Sequence, residues 1–279
     1  MACIPPLRSV CLACVTLACV TMAAAFFFAT PARAQPAPEE VLRTLAPTGK
    51  LRVGVLMVWY FALEDKTSGT LKGVIPDLAT ELARRAGVPV ELIKAENPGR
   101  MIEAFRGGAL DVTIIGITAD RAEAMDYGPV VLDLQTTYLV PAGSTIQSIA
   151  EIDRPGVRIL VPQRSAQEAH LKKIITSASM ISVPVEQPRH AVEMLKAGQA
   201  DAFSHVVPML ASAQPDLPGS RILPGSYYNV PIAIGYPKGK PAAVADYAKN
   251  FVTEMTSSGF AQKAIERMGQ KADGVVVEP

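Results

Sequence analysis

Beyond residue 19 the chain contains no cysteine. Its four cysteines, Cys3, Cys11, Cys14 and Cys19, all lie in one N-terminal apolar region. A disulfide framework, a thiol nucleophile and a cysteine–metal site are therefore excluded from the rest of the chain. Histidine is almost as scarce. His170, His190 and His205 are the only three, and they show no H-x-x-x-H or similar spacing, so neither a metal nor a cofactor is expected. The glycines of GTLKG and RGG do not fall in G-x-G-x-x-G or P-loop spacing, which removes the basis for nucleotide binding. Charge is not skewed either. With 27 basic and 26 acidic residues, the chain lacks the basic footprint that nucleic-acid binding usually leaves.

What is present begins with the pattern expected of an export signal. Arg8 precedes an apolar stretch from Val10 to Ala29, and Pro31 then leads into Ala32-Arg33-Ala34. An apolar run of this length is about long enough to span a bilayer. The helix-breaking proline and the small-x-small triplet instead favour cleavage, so residues 1–34 are expected to be removed and the protein to be periplasmic. Cys19 follows Thr16-Leu17-Ala18, a poor fit to a lipobox. Losing Arg8 and Arg33 takes the 27 basic residues to 25 against 26 acidic ones. A chain of the remaining size can bury a core without disulfides.

Residues 35–49 are rich in Pro and Ala and read as a linker with one short helix. KLRVGVLMVW is a strand running into aromatics, and VIPDLATELARRAGV is an amphipathic helix stopped by Gly87. PVELIKA is a strand, GRMIEAFRGG a helix closed by glycine, and ALDVTIIGI a buried strand. The order then restarts with RILVPQ, the helix SAQEAHLKKII capped by Ser165, ISVPVEQ, PRHAVEMLKAGQ and ADAFSHV. Strand–helix–strand alternation predicts parallel sheets with right-handed crossovers. TTYLVPAG leads from the first unit to the second, and SYYNVPIAIGYPKG leads back. The expectation is an α/β fold of two lobes with two hinge-crossing strands, and a ligand cleft at the carboxyl ends of the strands. Lobe 1 is placed at 50–137 plus 229–279, and lobe 2 at 138–228.

From about Leu51 to Gly269 the chain resembles the family 3 extracellular solute-binding proteins, the periplasmic receptors of amino-acid-type ABC importers. The resemblance is carried by GKLRVGV, GTLKGVIPDLATELARRAG, RMIEAFRGGALDVTIIGITADRAEAMDYG and MLKAGQADAF, in that order. It implies the type II periplasmic-binding-protein fold. It also implies a non-enzymatic, monomeric receptor that closes on a small acidic or zwitterionic solute and delivers it to a membrane permease.

Site residues follow from the same resemblance. Arg121 stands where the family pairs an arginine with the ligand carboxylate, a match of planar fork to planar acceptor. Read without the resemblance, it is a first-turn arginine on a solvated helix, paired with Asp120 or Glu123. Gly116 and Thr118 occupy strand-end positions that hold the ligand, with Gly116 replacing a common hydroxyl residue. Trp59 stands at the aromatic that packs on the ligand, with Tyr60 beside it. Ser165 and Ala166 form a helix N-terminus facing the carboxylate, and Arg164 replaces a usual glycine there, either as a second cation or pointing to solvent. Val206 replaces the aspartate that meets the ligand ammonium, which weakens an amino acid as the ligand. His205 is its possible stand-in or a buried core histidine, while His170 and His190 read as solvated. Asp77 and Asp111 are expected to serve turns and helix entry. The alternative function is a cyclohexadienyl or arogenate dehydratase-like enzyme, which requires a general acid in the cleft.

Overall fold

The computed structural model describes residues 37–58, 61–185, 187–268 and 275–276. The expected signal segment, and Trp59 and Tyr60, lie outside the described residues. The first half contains α1 (Glu39–Leu45), β1 (Leu51–Leu56), β2 (Leu63–Glu64), β3 (Leu71–Lys72), α2 (Val74–Ala86) and β4 (Val90–Ala95). It continues with α3 (Pro98–Arg106), β5 (Val112–Gly116), α4 (Ala119–Ala122) and the long β6 (Met125–Val140). The second half holds β7 (Arg158–Pro162), α5 (Ala166–Ile174), β8 (Ser179–Val183), α6 (Pro188–Lys196), β9 (Ala202–Val206), α7 (Val207–Ala213) and β10 (Arg221–Ile222). The chain returns along β11 (Tyr228–Pro237) and ends in α8 (Ala242–Ser257), α9 (Phe260–Arg267) and β12 (Val275–Val276).

Local signals set the helix ends. In α2 the buried Leu78, Leu82 and Ala86 share one face, and Gly87 stops the helix at φ 77°, a left-handed conformation that suits glycine. Asn97 caps α3 by accepting from the Arg100 N–H, with Pro98 at the first turn. The one short helix expected within residues 35–49 is α1, but it is packed and not a free tether. Val41 and Leu45 of α1 are buried in the core that also contains Val244, Phe251 and Val252 of α8, because their i, i+4 spacing gives even this short helix an apolar edge.

The strand order is β4-β1-β5-β11-β6-β9-β7-β8. β1 lies parallel to β4 and β5, and β7 lies parallel to β8 and β9. The two crossing strands were expected to link two separate sheets. Instead, β11 pairs with β5, β6 pairs with β9, and β6 and β11 pair with each other, so hydrogen bonding runs unbroken through both lobes. The apolar packing still divides. The second half packs one face of its sheet around Leu139, Leu160 and Phe203, and the other around Tyr138, Ile159 and Val161.

Both halves open their third strand with the same clasp. Asp111 accepts from Arg52 Nε at 2.9 Å, Nη2 at 2.6 Å and the Arg52 backbone N–H at 3.0 Å. Asp201 accepts from Arg158 Nε, Nη2 and backbone N–H at 2.9, 2.9 and 2.8 Å. Asp111 thus serves neither a turn nor a helix entry; it ties β5 to β1. Asp77 does sit in the first turn of α2, where it also pairs with Arg267.

His205 lies in β9 with 4% of its surface exposed. Its Nδ1 accepts from the Val206 N–H at 2.8 Å, and its ring meets Phe203 edge-on. Burial pushes its pKa down to about 3, so the folded protein holds it neutral.

Two predictions follow from these contacts. Removing Asp111, 3% exposed, by Asp111→Ala should cost about 3 kcal/mol, because it strands a partly buried guanidinium. Asp201→Ala, in a pair that is 39% and 35% exposed, should cost about 1 kcal/mol or less. Urea unfolding at neutral pH measures both, and equal losses would contradict the assignment. The depressed pKa of His205 adds stability above the unfolded value near 6.5 that is lost as pH falls toward 3. Between pH 6 and 5 this one group should lower stability by about 1.4 kcal/mol per pH unit at most. A His205→Asn variant should show a flatter profile over that interval.

Candidate functional site

The site begins at the carboxyl end of β5. Gly116 ends that strand, and the chain turns through Thr118 into the single turn of α4, which aims Arg121 back beneath the strand end. Arg121 is 4% exposed, which excludes the solvated-helix reading. Its Nη1 donates to the Gly116 carbonyl at 2.7 Å, and its Nη2 donates to the Arg164 carbonyl at 2.8 Å. Among the described residues no carboxylate forms an ion pair with it. Burial lowers its pKa, opposed by the nearby Tyr127, Asp120 and Tyr228, yet a guanidinium stays charged in proteins. The result is a buried cation whose described partners are neutral carbonyls.

Close packing explains Gly116. A Cβ there would stand 3.0 Å from Val230 Cγ1 and 3.4 Å from Arg121 Nη1, so the hydroxyl residue common at this position does not fit without displacement. The Thr118 hydroxyl donates to Asp120. Burial alone would raise the Asp120 pKa, but that hydroxyl and Arg121 outweigh it and hold the carboxyl ionised.

The facing wall comes from α5. Ser165 Oγ accepts from the Glu168 N–H at 3.0 Å, while Glu168 accepts from the Arg164 N–H at 2.6 Å and from Ser182 Oγ at 2.6 Å. This is a capping box displaced by one residue. Arg164 has φ 55°, the only positive value for a non-glycine among the described residues. That conformation costs roughly 1–2 kcal/mol and gives a physical reason why glycine is usual there.

Between the walls lies a cleft of about 1040 Å³. It is lined on one side by Gly99, Ile102, Glu103 and Arg106 of α3, and on the other by Ala166, Ala169, His170 and Lys173 of α5. Each set follows i, i+3, i+4, i+7, one face of a helix. Gly116 meets Arg121 at the strand end, and Thr118, Arg121, Arg164, Ser165 and Ala166 all line the cleft. His205 is not among the lining residues; it belongs to the core described above. Val206, 1% exposed, belongs with Ala166, Met209 and Val230 to one buried apolar cluster.

Among the lining residues that escaped the sequence reading are His170 and Tyr228. His170, expected in solvent, is half-buried and stacks on Tyr228 with ring centroids 4.2 Å apart and an interplanar angle of 12°. Burial and the neighbouring Lys173 lower its pKa. Once Ser165 is fixed as a cap, the spacing from Ala166 to His170 places the imidazole on the same face, and that was the available signal. Tyr228 had no comparable marker.

Known proteins resemble this chain in sequence and fold. Residues 51–271 match the family described as bacterial extracellular solute-binding proteins, family 3. The ABC transporter glutamine-binding protein GlnH of Bacillus subtilis (strain 168) is 23% identical over 203 residues, 71% of this chain and 73% of that protein. An ancestral amino acid-binding protein, described as a precursor of cyclohexadienyl dehydratase, superposes with a TM-score of 0.67 at 24% identity, over 82% of this chain and 99% of its own. An ancestral arginine-binding protein bound to glutamine gives a TM-score of 0.64 at 26% identity, over 79% and 97%. With the match spanning most of its length, the chain belongs to the bacterial extracellular solute-binding proteins, family 3.

Proposed function

We propose that the protein is a periplasmic receptor that closes two lobes on a small carboxylate-bearing solute, an amino acid or a related organic acid, and delivers it to the permease of an ABC importer. In this reading residues 1–34 are the export signal and the receptor acts as a monomer. Lobe 1 comprises 50–137 plus 229–279, and lobe 2 comprises 138–228. The observation that carries the proposal is Arg121: a buried guanidinium in the cleft, bonded to carbonyl oxygens and not paired with a described carboxylate. A ligand carboxylate supplies the missing charge, and its contacts with both walls favour closure. Trp59 and Tyr60 remain candidates for packing on the ligand by resemblance alone. The names of the relatives, which bind glutamine or amino acids, support the solute class.

One relative is described as a dehydratase precursor, but general-acid chemistry would need a cleft carboxyl held protonated. Burial works in that direction for Glu168, but hydrogen bonds from Ser182, the Arg164 N–H and Lys172 outweigh it and lower its pKa. Asp120 is lowered as well. Neither group is a carboxyl held protonated of the kind such chemistry needs.

Arg121→Ala should weaken binding of an acidic solute by about 2–5 kcal/mol, the range for removing one partner of a buried charge pair. Calorimetry with a panel of amino and keto acids checks it, and undiminished affinity would remove the basis of the reading. The apolar surroundings of Val206 give a ligand ammonium no charge partner there. Keto or deamino analogues should therefore bind at least as well as the matching amino acids, and Val206→Asp should shift preference toward the amino acids. Tight binding of an amino acid by the unaltered protein, with its keto analogue silent, would overturn the role given to Val206 and leave the receptor reading standing.

A further inference from the structure

Arg164 is unusual in three respects at once. It is the one described non-glycine residue with positive φ. Its carbonyl accepts from Arg121 Nη2, 43 residues away on the other wall of the cleft. Its side chain also crosses the cleft, for a Cβ built on Gly99 of α3 would stand 2.5 Å from Arg164 Nη1 and 3.3 Å from Arg164 Cδ. Arg164 itself is exposed, and its guanidinium lies over α3 where Gly99 leaves room for it. The loop bearing it is held by the Arg164 N–H on Glu168 Oε2 and by the Ser165 cap.

We propose that Arg164 is a positioning residue that fastens the two lobes across the cleft, through its carbonyl on Arg121 and its guanidinium in the Gly99 notch. The left-handed backbone at Arg164 is part of the device. Its N–H is bound to Glu168 within the same wall, while its carbonyl meets Arg121 and its side chain meets α3. A glycine at this position could supply the carbonyl but not the guanidinium. The fastening biases the open–closed balance directly, because its contacts join opposite walls and are lost when the walls separate. It also sets how a ligand meets Arg121. One donor is committed to the Gly116 carbonyl and another, in the closed form, to the Arg164 carbonyl, so a carboxylate takes the remaining donors and shares the guanidinium with the opposite lobe.

The test uses the solute-free protein, so its outcome does not depend on whether the receptor reading is right. Small-angle scattering, fitted as a mixture of open and closed forms, is compared for the unaltered protein, Arg164→Gly, Gly99→Ala and the double variant. Circular dichroism confirms that each is folded. Arg164→Gly keeps the carbonyl, suits the backbone and removes the side chain. It should raise the open-to-closed ratio about 2-fold, the scale of one exposed side-chain contact. Gly99→Ala should open the unaltered protein similarly, since its methyl takes the notch, but should add nothing on the Arg164→Gly background. The proposal is overturned if Arg164→Gly leaves the ratio unchanged. It is equally overturned if Gly99→Ala opens the Arg164→Gly protein as much as it opens the unaltered one.

Discussion

A guanidinium taken out of water must find acceptors, and the arrangement around Arg121 follows from that demand. The Gly116 carbonyl comes from the end of β5 and the Arg164 carbonyl from the loop before α5. The first contact requires a residue small enough to pass Val230, and glycine stands there. The second requires a loop turned into the cleft, and Arg164 adopts a left-handed conformation to make it. Glu168 and Ser165 then fix that loop through the cap of α5. Two positions that look like exchanged residues in the sequence, a glycine at 116 and an arginine at 164, are thus two answers to one requirement.

The arrangement also defines what kind of solute the cleft can reward. Arg121 is the buried cation of the cleft, with Arg106, Arg164, Lys172 and Lys173 also lining it, and Ala166, Val206 and Val230 pack in the apolar cluster behind its wall. Two cleft acids, Asp120 and Glu168, are occupied by hydroxyl, amide and ammonium donors. The His170–Tyr228 stack adds a flat aromatic surface to the cleft.

Much of this was legible in the sequence, for local reasons. Helix faces, the Gly87 stop and the Ser165 cap all depend on neighbours within four residues, and these signals survive in the chain order. Arg121 was marked by the residues flanking it. What escaped depended on distant partners. Asp111 and Asp201 were visible as a recurrence, but Arg52 lies 59 residues from Asp111, and no local pattern joins them. The continuity of the sheet was hidden because nothing in β6 or β11 states how many neighbours each acquires. Arg164 offered a departure from pattern without a direction, since neither positive φ in a non-glycine nor a notch at Gly99 leaves a trace in sequence. Residues 35–49 misled by composition: Pro and Ala suggested a tether, while Val41 and Leu45 were enough to bury α1.

The contact between α1 and α8 bears on how the chain matures. The strands β7, β8 and β9, with their connecting helices, form one uninterrupted stretch, and their partner β6 immediately precedes them. That stretch can assemble as soon as it has emerged. The core around β1 cannot, because α8 supplies Val244, Ala248, Phe251, Val252 and Met255 to it from near the far end of the chain. Until those residues arrive, α1 and β1 keep an apolar surface uncovered. The first half to be synthesised is therefore the last to be finished, and during that interval its apolar face stays open to aggregation.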